Sequence, residues 1–108
     1  MKRIILILIC CLVPVIMVKG QEQQAQKLLS EAVYQEEING DLNVAIKAYQ
    51  SVINQYPDNR KVSAEAYYHL GMCYEKLGRQ DAMKAYREVI SNYADQKDIV
   101  AKARQRLS

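Results

Sequence analysis

The chain has 108 residues, 50% hydrophobic and 25% charged, with 8 tyrosines, 3 cysteines, 1 histidine and no tryptophan or phenylalanine. That length and balance predict one small folded domain and exclude a multidomain enzyme or a disordered chain. The net charge of +3 rests on Lys2, Arg3 and Lys19; without them the 15 basic residues fall to 12, equal to the 12 acidic ones, so no whole-molecule field favours a polyanion and nucleic-acid binding is not expected.

Lys2 and Arg3 open the chain, followed by fifteen apolar or proline residues from Ile4 to Val18, then Val18-Lys19-Gly20 ahead of the polar run Gln21-Glu22-Gln23-Gln24. A basic start, an apolar stretch and short residues before a polar boundary predict a cleaved signal peptide over residues 1–20. The stretch, interrupted by Pro14, is shorter than the ~20 apolar residues that span a bilayer comfortably. An uncleaved anchor is the alternative, and membrane contact is expected only in that case. Cys10 and Cys11 are followed by more apolar residues rather than by a polar start, which disfavours lipid attachment. Cleavage would leave Cys73 alone, so the mature domain, 21–108, must be held together by packing rather than by disulfides. The expected destination is the periplasm or cell envelope, or the exterior.

Beyond the leader, Ala25, Leu28, Leu29, Ala32 and Val33 recur at the spacing of one helix face. Gly40 permits a reversal, and Asp41 can cap a second helix that carries Ala45, Ala48, Tyr49, Val52, Ile53 and Tyr56 until Pro57 stops it. A third helix holds Tyr67, Leu70, Gly71, Tyr74 and Leu77 and ends near Gly78. The fourth carries Ala82, Ala85, Tyr86, Val89, Ile90 and Tyr93, the six positions of the second helix each displaced by 37. The same offset takes Ala64, Ala66 and Leu70 onto Ala101, Ala103 and Leu107. The prediction is an all-α chain of antiparallel hairpins, 25–57 and 62–94, stacked as a short solenoid and closed by a capping helix over 96–107. Arg60 to Ser63 are expected as an insertion between the two units. Charge divides along the stack: 6 acids and 2 bases lie between Glu22 and Asn59, against 6 acids and 10 bases from Arg60 to Ser108.

Tyr67-x-x-Leu70-Gly71-x-x-Tyr74, followed by Ala82 and Tyr86, resembles the tetratricopeptide repeat. The first hairpin matches through Gly40, Ala45, Tyr49 and Pro57 but carries Leu29, Ala32, Val33 and Glu36 where the aromatic, Leu, Gly and Tyr would stand. The second is one residue short between Gly78 and Ala82, and Ala94 replaces the closing proline. Short stretches around Glu36-Glu37-Ile38-Asn39-Gly40-Asp41-Leu42 and Cys73-Tyr74-Glu75-Lys76-Leu77-Gly78 also resemble bacterial exported modules that precede a β-propeller or peptidase domain.

Little in the chain points to chemistry. His69 has Cys73 as its sole candidate partner at helical spacing, and two ligands do not make a zinc site. Cys73 reads as a small core residue. Glu36 and Glu37 are neighbours that point about 100° apart, which predicts a solvated face rather than a carboxylate pair. No phosphate loop, nucleophile elbow or zinc-protease motif is present, so no catalytic residue, metal or cofactor is expected. Lys97, Lys102, Arg104 and Arg106 read as the solvated face of a C-terminal helix, diluted by Asp95 and Asp98.

The resemblance implies that the first helix of each hairpin lines a concave groove for another protein or peptide. The groove positions would be Lys27, Ser30, Tyr34 and Glu37, then Glu65, Tyr68, Met72 and Glu75. Tyr68 and Met72 lie off the stripe of Tyr67, Leu70 and Tyr74 and serve either as interface anchors or as cover for the partial third unit. The function expected is a non-catalytic adaptor of the bacterial cell envelope. Two alternatives stay open: a structural unit that dimerises through the C-terminal helix, and the N-terminal part of a longer envelope propeller or peptidase protein.

Overall fold

In the computed structural model the backbone is described for residues 2–108 and the side chains from Gly20 onward; the expected leader, with Cys10 and Cys11, lies outside the described side chains. Among the described residues five helices follow one another: α1 (Lys2–Glu37), α2 (Leu42–Gln55), α3 (Arg60–Lys76), α4 (Asp81–Asn92) and α5 (Lys97–Leu107). Each packs on the next, and α1 also touches α3 as α3 touches α5. The result is the all-α stack of hairpins that the 37-residue displacement predicts.

The punctuation acts where the sequence puts it. Gly40 and Gly78 end their helices with φ of +66° and +69°, a left-handed conformation that costs glycine little. Asp41 accepts the Val44 amide at 3.2 Å and starts α2. Asn59 does the same for Val62 at 3.2 Å, so α3 begins at Arg60. Arg60 to Ser63, the residues expected between the two units, form the opening turn of α3, because a cap at Asn59 makes the helical conformation the cheapest route for the four residues after it. Ser63 Oγ then donates to the Tyr56 carbonyl at 2.9 Å, which also accepts the Asn59 amide at 3.2 Å, tying the end of α2 to the start of α3. Replacing Asn59 by Ala is expected to lower stability by about 1 kcal/mol in urea denaturation, and Asn59→Asp to leave it nearly unchanged.

Two core clusters follow from the stacking. The first joins Ala25, Leu29 and Ala32 of α1 to Ala45, Ile46, Tyr49 and Val52 of α2 and to Val62, Ala66, Leu70 and Cys73 of α3. The second joins Ala82, Tyr86 and Val89 of α4 to Val100 and Ala103 of α5. Tyr67 and Tyr74 pack against both and so couple the layers. At Gly71 the Tyr86 ring of α4 lies directly against the α3 backbone: a Cβ there would lie 2.7 Å from Cδ1 of Tyr86, inside the space that ring occupies.

Candidate functional site

On α1, Lys27, Ser30, Tyr34 and Glu37 are all exposed, and Tyr34 keeps 52% of its surface in solvent. These positions, expected to line a groove, lie on the exposed side of a helix whose other side carries Ala25, Leu29 and Ala32 into the core. The α3 positions differ. Glu65, Tyr68 and Met72 are half-buried. The Tyr68 ring meets His69 edge-on at 5.7 Å and Tyr86 at 5.9 Å, and Met72 Sδ lies 3.6 Å from the Arg106 guanidinium. Both side chains pack against the α4–α5 core cluster. Glu75 is exposed, yet it accepts from the Tyr86 hydroxyl at 2.7 Å and sits 3.6 Å from Arg106. The α3 half of the face is thus braced by α4 and α5, whereas its α1 half projects freely.

Glu36 is not on a solvated face. It is 4% exposed, while Glu37 beside it points outward. Glu36 stands four residues after Ala32 and seven after Leu29, so helix geometry carries it into the core along their stripe. Oε1 accepts from the Tyr49 hydroxyl at 2.6 Å and lies 2.9 Å from His69 Nδ1; Oε2 accepts from Lys76 Nζ at 3.1 Å. An ionised carboxylate only accepts, so the Nδ1 of His69 carries a proton. Burial alone would push the Glu36 carboxyl up, but the hydrogen bonds from His69, Tyr49 and Lys76 outweigh it and hold the group at about 2. Burial and the facing carboxylate push the Tyr49 phenol far above its ordinary range. His69 stacks on the Tyr49 ring at 5.2 Å, which fixes the imidazole. The group therefore pins three helices at one point. A charged residue standing in register with Leu29 and Ala32 is the signal that would have revealed it.

A carboxylate orienting an imidazole is also part of many nucleophilic sites, and Cys73, one turn after His69, is the nearest thiol in sequence. Cys73 is fully buried, and burial followed by the Glu36 charge pushes its thiol up to about 12, so it stays protonated at neutral pH. Among the described residues no group of three His, Cys, Asp or Glu side chains could hold a metal ion.

Asp95 does not dilute the basic α5 helix, because it is engaged elsewhere. Arg60 forks onto it, donating from Nε at 3.1 Å to each oxygen, and also donates to the Asn92 carbonyl at 2.6 Å while its guanidinium lies 5.0 Å over the Tyr93 ring. Arg60 holds the Asp95 carboxyl well below the usual range. This clasp joins the start of α3 to the end of α4.

Among the helices whose side chains are described, none is long and apolar enough to cross a membrane. No curated protein and no solved structure matches the chain. A family model described as tetratricopeptide repeat matches residues 24–59 and 65–95, more than half of the chain; the first stretch runs from within α1 through α2 and the second from within α3 through α4, with the opening turn of α3 between them. The chain belongs to the tetratricopeptide repeat family, whose members generally mediate protein–protein interaction.

Proposed function

We propose that the chain is a non-catalytic adaptor of the bacterial cell envelope, exported through the leader at 1–20, that holds a protein or peptide partner on the face carrying Lys27, Ser30, Tyr34 and Glu37 and their counterparts Glu65, Tyr68, Met72 and Glu75. The observation that carries this reading is Tyr34, a large ring left 52% exposed on the first helix of a tetratricopeptide hairpin, where the core makes no use of it. Tyrosine anchors interfaces well, because it brings large contact area and a hydroxyl while losing few rotamers. The basic leader followed by an apolar stretch and Val18-Lys19-Gly20 supports export.

Tyr34→Ala separates binding from folding. The variant is expected to keep the parent's urea midpoint, since exposed substitutions change stability by less than about 0.5 kcal/mol. It is also expected to recover its partner at least about tenfold less well, the loss typical of an interface anchor. Recovery of the same partner at the parent's level would contradict the proposal. Intact-mass analysis of the exported chain should show a start at Gln21, and a retained leader would replace export by anchoring.

A further inference from the structure

Because the layers repeat, each open end of the stack can be compared with an equivalent position inside it. Ile46 on α2 is 7% exposed, but Met83, the same position 37 residues on, is 48% exposed. Ala64 and Leu70 on α3 are buried, whereas Ala101 is exposed and Leu107 half-buried on α5. These three side chains mark the surface that a further layer would cover. The other end shows the converse. Val62, Ala66 and Cys73 on α3 are buried in the first core cluster, while Gln24, Leu28 and Gln35, the α1 positions 38 residues earlier, are exposed or half-buried. Gln24, Leu28, Glu31, Gln35 and Ile38 form one stripe at alternating spacings of four and three, ending in an isoleucine that is 68% exposed.

The charges on the two edges are opposite. Around Met83, Ala101 and Leu107 stand Lys84 and Arg87 of α4 and Lys97 and Arg104 of α5, none of which takes part in an ion pair among the described residues. Glu88 and Asp98 offset them only in part. The α1 stripe carries Glu31, on a hairpin with 6 acids to 2 bases. Two copies meeting through the same edge would oppose the Lys84, Arg87, Lys97 and Arg104 group to its like, or one acidic first hairpin to another. Head-to-tail contact instead opposes cations to a carboxylate and repeats the layer-on-layer packing already present within the chain.

We propose that the α4–α5 edge, built on Met83, Ala101 and Leu107, docks the α1 stripe of a second copy, from Leu28 to Ile38, so that the stack continues head to tail. This interface borders the Tyr34 face, since Tyr34 stands three residues after Glu31 and four before Ile38, and it is argued from the repeat equivalences and edge charges rather than from what that face binds.

The test uses the full chain in two differently tagged versions, one with Met83→Cys and one with Ile38→Cys, co-expressed and treated with a short bismaleimide crosslinker. The unsubstituted chain, with its native cysteines, sets the background. The expected result is an adduct between the two tags at least about tenfold above background, with no comparable adduct between two copies of the same version. Arg87→Glu with Arg104→Glu in the Met83→Cys version should lower the yield several-fold, and Glu31→Lys in its partner should restore it. A yield at background, a dominant adduct between identical versions, or indifference to the charge reversals would each overturn the proposal. Unchanged helicity of the variants by circular dichroism separates loss of docking from loss of fold.

Discussion

Glu36→Gln is expected to lower the unfolding free energy by about 3 kcal/mol at pH 7 and to remove most of the chain's acid sensitivity between about pH 4.5 and 2. The glutamine keeps the shape but not the charge, so the bonds from His69 and Lys76 lose their ionic component while the Tyr49 hydroxyl stays buried beside a poorer acceptor. Loss of one member of a buried charged network typically costs 3–5 kcal/mol, and the half-exposed Lys76 ammonium, which can turn to water, puts this case at about the lower end. The direction of the pH effect follows from the carboxyl's position at about 2, below its ordinary 4.5. Above pH 4.5 both folded and unfolded chains hold an ionised Glu36 and the full stabilisation is present. As pH falls through 4.5 the unfolded chain binds a proton first, and the stabilisation drains away until the folded group protonates near 2. A displacement of this size corresponds to about 3 kcal/mol, so the two routes to the magnitude agree. Urea denaturation of parent and Glu36→Gln at pH 7 and pH 3 measures both; parallel pH profiles for the two chains would show that another carboxylate governs acid unfolding.

Gly71→Ala is the second large effect, and two opposing contributions decide its sign. In a helix interior alanine is better than glycine by about 1 kcal/mol, so an open site would gain stability. Here the new methyl would lie 2.7 Å from Cδ1 of Tyr86, a ring that is 2% exposed and whose hydroxyl is held by Glu75. Overpacking of that kind costs about 1–3 kcal/mol or more, and with the ring tethered the upper part of the range applies. The net expectation is a loss of about 2 kcal/mol in urea denaturation. Tyr86→Leu removes the obstructing ring, so Gly71→Ala should be far less costly in that background, a coupling that a double-mutant cycle reads directly. A gain of about 1 kcal/mol for Gly71→Ala alone would mean that the layers are spaced more loosely than the packing of α3 on α4 indicates.

The fold was legible because its determinants are local or periodic. Gly40 and Gly78 take the left-handed turns, Pro57 follows the end of α2, and the tyrosines at 49 and 86 mark equivalent layers. What escaped depends on partners far away in sequence. The groups that make Glu36 a core residue come from 13, 33 and 40 positions further along, whereas the adjacency of Glu36 and Glu37 taken alone predicts solvent for both. For Arg60 to Ser63 the spacing gives the place between the two matched repeats, and the cap at Asn59 adds that they are helical. The divided fate of the groove positions also hinges on distant contacts. Tyr34 and Met72 occupy matching sites on α1 and α3, yet α5 with its Arg106 covers one and nothing comparable lies over the other. Spacing alone gives the face on which a residue stands; the neighbouring layer decides how much of it is left for a partner.

The central claim is that the first-helix face around Tyr34 holds another protein. Its most direct test is a photoreactive residue placed at Tyr34 in the full chain, with the same residue at the exposed Asn54 of α2 as the comparison, both irradiated in the producing cells. The account predicts one dominant adduct with a different protein from position 34 and none from position 54. Equal adducts from both positions, or none from position 34, would contradict it.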